Sequence, residues 1–223
     1  MYGYQTPVKS NDVDTNTLQL LTRKNLFYFG LPNIEETFSN YGFSAFGSLS
    51  GFDYAVSLTQ NSLSNPRVKR KFGNQISGRI GTSVSDIDIG FSVASGAFLE
   101  SVTLSTLPKS VNEIKHTIIG GDAHYTFRRY EFWGEIMLNS WDAPLLPEKM
   151  KATSYFAEVR YQYNRALWLT GRAELFSFGS IDSVGTKTKW GNDASRLEAG
   201  IRFRFSTLVL KGVWRSEEHT SEL

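Results

Sequence analysis

The chain of 223 residues contains no cysteine, which excludes a disulfide framework and thiolate chemistry. No apolar run approaches the ~18 residues a membrane-crossing helix needs. Proline is scarce, at 6 residues, and the opening residues lack the basic and apolar segments of a secretory signal. Histidine is nearly absent too. Only His116 and His124 lie before Arg215, and neither has a second His or Cys at ligand spacing, so no metal site is expected. "GSLSG" (Gly47 to Gly51) is spaced like a nucleophile elbow but places Leu49 where the nucleophile belongs. No phosphate-cradling glycine loop or dinucleotide fingerprint occurs. These absences argue against an enzyme and against a cofactor. The one candidate base is His124, beside acidic neighbours, and as a lone histidine it reads as a polar wall residue.

Alternation is what the chain has in place of these. In "SYFAEVRYQYNRALWLTGRAELFSF" (Ser154 to Phe178) every second residue from Tyr155 is apolar or aromatic, and Glu158, Arg160, Arg172 and Glu174 fall between them. Period two means strand, and two such runs around Asn164 to Ala166 mean a hairpin. About ten such runs follow one another, at 41–49, 54–61, 75–84, 87–97, 117–127, 131–141, 154–163, 167–177, 196–205 and 208–214. Tight turns at Ser50–Asp53, Ser85-Asp86, Arg128–Tyr130, Asn164–Ala166 and Ser206-Thr207 alternate with long polar loops at 62–74, 98–116, 142–153 and 178–195. A soluble sandwich has no reason for so strict an alternation, because its connections vary in length. An outer-membrane barrel does, with short periplasmic turns and long extracellular loops.

The expected fold is therefore all-β, an antiparallel up-and-down transmembrane β-barrel of which residues 1–214 form part. The apolar register of each run carries no charge, and Tyr125, Phe127, Tyr161, Tyr163, Phe203 and Phe205 gather near the short turns, where an aromatic girdle belongs. The other register supplies the expected pore lining. Its basic members are Arg79, Arg160, Arg172, Arg196, Arg202, Arg204 and Lys211, and its acidic ones Asp88, Asp122, Glu131, Glu135, Glu158, Glu174 and Glu198, with His124 among them. Asp88, Asp122, Glu131 and Glu135 fall on the fourth to sixth runs and Arg196, Arg202, Arg204 and Lys211 on the last two, which predicts an acidic wall facing a basic one. Spacing further predicts that Glu158 opposes Arg172, Arg202 opposes Lys211 and His124 opposes Glu135.

Residues 9–40 would form one extracellular connection, either folded into the barrel or packed over its rim. The stretch "RSEEHTSEL" (Arg215 to Leu223) reads as the translation of a sequencing-library adapter, so 215–223 is expected to be a non-native tail and the chain a fragment whose signal peptide is missing. The run "PRVKRK" (Pro66 to Lys71), at a loop tip, suits lipopolysaccharide phosphate or a solvated loop better than nucleic acid.

With hairpins such as "QISGRIGTSVSDIDIGFSVASGAF" and "RLEAGIRFRFSTLVLKGVW" the chain resembles a Gram-negative porin. In their cadence these hairpins are similar to the phosphate- or oligosaccharide-type porin families. The likeness spans most of residues 1–214. It implies passive diffusion of small hydrophilic solutes or ions through a charged lumen in the bacterial outer membrane, by a protein partnered with bilayer and lipopolysaccharide and often assembled as a trimer. A gated transporter, a secretion anchor or a barrel hydrolase would share the same wall.

Overall fold

A computed structural model describes residues 41–60, 74–97, 113–143, 146, 148–183, 185–206 and 208–219. The long connection at 9–40 and the basic run at 66–71 lie outside them. Ten strands form one antiparallel sheet in the order β1(Tyr41–Leu49), β2(Phe52–Gln60), β3(Asn74–Val84), β4(Ile87–Ala97), β5(Lys115–Phe127), β6(Tyr130–Trp141), β7(Met150–Gln162), β8(Leu167–Phe178), β11(Ala194–Phe205), β12(Leu208–His219). Every neighbour in space is the next strand of the meander, so the topology is up-and-down throughout. β1 and β12 do not pair with each other, and the sheet is a partial barrel with those two strands at its edges.

Alternation sets the two faces, and their polarity is inverted relative to a water-soluble protein. Val159 is 38% exposed while its neighbour Glu158 is 3% exposed; Leu197 is 56% exposed while Arg196 is 1% exposed. Curvature crowds the side chains of the inner face against one another and splays those of the outer face. The outer face carries Ile136, Leu138, Tyr155, Ile201 and many other large apolar groups. A soluble sheet buries that register, because apolar area removed from water stabilises by ~25 cal/mol per Å². Near the short turns the outer face turns aromatic. Tyr125 lies 6.1 Å from Phe132 between ring centroids, and Tyr130 lies 4.7 Å from Tyr161.

The turns explain the register. Ser50, Ser85, Arg128 and Ser206 each open a tight turn at positive φ, the backbone that primed hairpin turns require. In the β7–β8 hairpin the Asn164 side chain accepts from the N–H groups of Ala166 and Leu167, both at 2.8 Å, and Tyr163 N–H donates to Leu167 O. Glu158 consequently opposes Arg172, as the spacing predicts. The β5–β6 register differs. Phe127 pairs with Tyr130, so the turn is Arg128-Arg129 alone and His124 opposes Trp133 instead of Glu135, which faces Asp122.

Two further differences concern the ends of strands. The connection after β8, expected to be a polar loop, contains a small hairpin of β9(Ser180–Ser183) and β10(Thr186–Lys189). Four residues a strand are too few for a period to show in the sequence, and Gly185 at φ 81 makes the turn. β12 continues through Arg215 to His219, into the stretch expected to be non-native. A β-ladder uses backbone groups, so an edge strand can extend with almost any side chains.

The β9–β10 hairpin is tied to the sheet by Asp193. Its carboxylate accepts from Lys189 Nζ at 2.7 Å, Phe178 N–H at 2.9 Å and Ser177 Oγ at 3.1 Å, while Trp190 Nε1 donates to Lys151 O at 2.7 Å. Burial alone would push the Asp193 carboxyl up, but the hydrogen bonds from Lys189, Phe178 N–H and Ser177 outweigh it and hold the group below its ordinary value of 3.8. A depressed carboxylate contributes stability above its unfolded value and loses it as pH falls through the folded one. Acidification below about pH 4 should therefore loosen this hairpin first. The fluorescence of Trp190 against Trp141, compared between the protein and Asp193→Asn, checks this. A pH response that survives the substitution would assign it to another group.

Candidate functional site: a polar hoop on the inner face

All fifteen of the titratable side chains expected to line a pore lie on the inner register, on strands β3 to β12. The registers also align a single row of them. Ser83, Asp88, His124, Trp133, Glu158, Arg172, Glu198 and Arg215 oppose one another in turn from β3 to β12. At ~4.8 Å between strands the row is roughly 34 Å long. It is a hoop around the wall.

The members are bonded along it. Ser83 Oγ donates to Asp88 at 2.5 Å, and Asp88 Oδ2 lies 3.1 Å from His124 Nδ1. The His124 ring stacks on Trp133 with centroids 3.6 Å apart. The Arg160 guanidinium sits 5.8 Å over Trp133 and donates from Nε to Glu158 at 2.6 Å. From there charges alternate in a zigzag. Arg172 reaches Glu158 at 3.2 Å and Glu174 at 2.6 Å, Arg196 reaches Glu174 at 3.2 Å and Glu198 at 4.0 Å, and Arg215 reaches Glu198 at 2.5 Å. Arg172 also lies 4.3 Å over the Phe156 ring. Glu131 joins through Arg160 at 3.6 Å.

Two carboxylates of the predicted acidic wall are paired with arginines where they stand, and a third is hydrogen-bonded. Glu131 has Arg160, Asp122 is gripped by both terminal nitrogens of Arg79, and Asp88 lies within hydrogen-bond distance of His124. Arg79 is on β3 and Asp122 on β5, so the guanidinium has to cross β4, and it does so over Gly90. A Cβ at Gly90 would overlap that guanidinium. The bridge matters because Asp122 directly faces Glu135, a like-charge opposition that is unfavourable across a ladder. Gly90→Val should therefore lose roughly 1–3 kcal/mol through the displaced bond. Urea unfolding of Gly90→Val, Arg79→Ala and the double variant measures it, with the double no worse than the worse single. Fully additive losses would mean the glycine acts independently of Arg79.

Several inner-face residues escaped sequence reasoning. Trp133, Phe156 and Trp168 share the period of the charged residues, but only the register shows which charges they touch. Thr126 is another. Its Oγ1 is 3.2 Å from His124 Nε2, and with Asp88 on Nδ1 this orders a hydroxyl, an imidazole and a carboxylate. Acyl-transfer chemistry also needs backbone donors beside the hydroxyl. Thr126 spends its own N–H on Asp86 O, and its strand is paired on both sides. The relay is a link of the hoop. Among the described residues no three of His, Asp and Glu converge as metal ligands.

No family model and no curated protein matches the chain. Among solved structures the chain is similar to a porin refined at 1.8 Å resolution, with a TM-score of 0.60 and 10% sequence identity over 85% of this chain and 60% of that one. The chain thus spans less than two thirds of that porin. At this identity the likeness is one of fold, a porin-like antiparallel barrel wall.

Proposed function

We propose that the chain forms the wall of an outer-membrane channel through which small hydrophilic solutes and ions diffuse passively. The observation that carries this is the inversion of polarity, with a continuous apolar outer belt over an inner face of bonded charges. Lipid outside and water inside satisfy both faces at once. Water on both sides would leave the outer belt exposed without compensation. Channel width follows from strand number. About eight strands fill their interior with side chains, whereas 16–18 leave an aqueous channel, and ten strands that do not close already exceed the filled case.

On this reading the short turns face the periplasm and the Asp193-tied hairpin faces outward, beside lipopolysaccharide. The inner-face charges, from Arg79 to Lys211, line the path, and the porin of similar fold supports the same use of the wall. The protein reconstituted in planar bilayers should give discrete steps of current, linear in voltage. Vesicles containing it should swell in small sugars at rates that fall with sugar size. Membrane-inserted protein that gives neither current nor swelling would overturn a passive channel in favour of a gated or anchoring role.

A further inference from the structure

Of the short turns only two carry basic residues, and they are neighbours. The β5–β6 turn is Arg128-Arg129, and the β7–β8 turn carries Arg165. Gln162 N–H donates to Arg129 O at 2.8 Å, and Arg129 Nη1 donates to Tyr163 O at 3.0 Å, which holds the two turns side by side. Two strand spacings separate them, about 10 Å. The Arg128 guanidinium lies 5.1 Å over the ring of Phe127, which is exposed on the outer face. All three arginines are exposed. Among the described residues none of them is paired with a carboxylate, whereas Arg79, Arg160, Arg172 and Arg196 each are.

Beneath these cations the same four strands carry an apolar groove of about 620 Å³ on the outer face. Its floor is the row Ala123, Gly134, Ala157 and Ala173, set between a row with Tyr125, Phe132 and Val159 and a row with Ile136, Tyr155 and Leu175. Gly171 interrupts the first of those walls beside Val159, so the groove opens toward the short turns on the strand that follows Arg165. Ala123 lies five residues before Arg128, about 17 Å of strand. Strands tilted ~45° make that ~12 Å of depth, within the ~15 Å of one leaflet's hydrocarbon. A molecule with an anionic head and an acyl chain matches both features. Guanidinium forks suit phosphate oxygens, and a zwitterionic head would bring an ammonium that the same cations repel. We infer that the outer face of β5 to β8 holds an anionic phospholipid, with its phosphate on Arg128, Arg129 and Arg165 and an acyl chain in the groove over Ala157. The site rests on the reading of this face as lipid-facing, and it gives the short-turn leaflet a lipid of its own.

Native mass spectrometry from neutral detergent micelles, titrated with dioleoyl phosphatidylglycerol, counts the lipid retained. One saturable adduct is expected, with dioleoyl phosphatidylcholine held far more weakly. Arg128→Gln with Arg165→Gln should weaken retention about 25-fold, fivefold for each basic residue lost. Arg129 is left in place because it ties the two turns. Arg128→Lys with Arg165→Lys keeps the charge and should keep most of the binding. Ala157→Leu fills the groove and should weaken the dioleoyl lipid about fourfold for each methylene displaced, with dihexanoyl phosphatidylglycerol unchanged. Retention unchanged in the double glutamine variant, at an unchanged urea midpoint, overturns the site, and so does equal retention of phosphatidylcholine. Ala157→Leu without effect on either lipid overturns the placing of the acyl chain. Lipopolysaccharide held by the same arginines overturns the assignment to a phospholipid of the short-turn leaflet. Current in planar bilayers without arginine-dependent retention keeps the channel and removes the site. Arginine-dependent retention without current keeps the site on a lipid-facing wall and removes the channel.

Discussion

Replacing Arg172 by alanine should cost about 3 kcal/mol of unfolding free energy, the largest loss expected from any single inner-face substitution. Arg172 is almost fully buried and pairs at once with Glu158 and Glu174, whose side chains are 1% and 2% exposed. A buried ion pair intact contributes little net, because desolvation offsets attraction, but removing one partner leaves the other charge packed among its neighbours with one counter-charge fewer. Here each carboxylate keeps a second arginine, Arg160 for Glu158 and Arg196 for Glu174, which places the loss at the low end of the ~3–5 kcal/mol seen for broken buried pairs. The guanidinium also leaves the Phe156 ring it covers, and a cavity opens there. Arg202→Ala is the control. It removes a cation opposed to Lys211, so its unfolding free energy should change by less than about 1 kcal/mol. Urea unfolding in micelles, followed by tryptophan fluorescence, compares the two. A loss at Arg172 no greater than at Arg202 would mean that the hoop does not brace the wall.

Much of this wall was legible in the sequence, and for a physical reason. A strand puts successive side chains on opposite faces, so the outer belt around Ile136 and Tyr155 and the charged face around Glu158 and Arg172 follow from period two alone. A turn with its own chemistry fixes register as well. Asn164 caps the β7–β8 turn through its side chain, and the Glu158–Arg172 opposition was readable. Arg128-Arg129 offers no such marker, and the expected pairing of His124 with Glu135 lies two residues from the observed pairing with Trp133. Contacts that leave the row were hidden as well. Arg79 reaches Asp122 across a whole strand because Gly90 lets it pass, and nothing in the spacing of those three residues marks the crossing. The pairing of Asp122 with Arg79 and of Glu131 with Arg160 was hidden for the same reason, since composition by strand cannot see long side chains that bridge strands.

Ala157→Arg should destabilise the membrane-inserted protein by about 2–4 kcal/mol, the penalty for a cation at the midplane of a barrel's outer face. Ala157 is exposed on the outer face near the middle of the 13-residue β7. Its row neighbours are Gly134 and Ala173, and with Ala123 and Gly171 they line a shallow apolar groove of about 620 Å³. The outer-face side chains around that groove are apolar, and the nearest outward charge on the strand of Ala157 is Lys151. Where the outer face does carry cations, it carries them at strand ends. Lys151 and Lys115 both stand at the long-loop rim, where the side chains can reach water. Ser140 on β6 directly faces Lys151, and Ser140→Arg should cost no more than about 1 kcal/mol, because the penalty falls off toward the interface. The comparison tests the environment of this face directly. Were it bathed in water, both substitutions would sit on an exposed surface and stay within about 0.5 kcal/mol of the parent. Folding free energies in lipid vesicles for the two variants decide between these. A cost at Ala157 that does not exceed the cost at Ser140 would place this face in water and remove the basis of the channel.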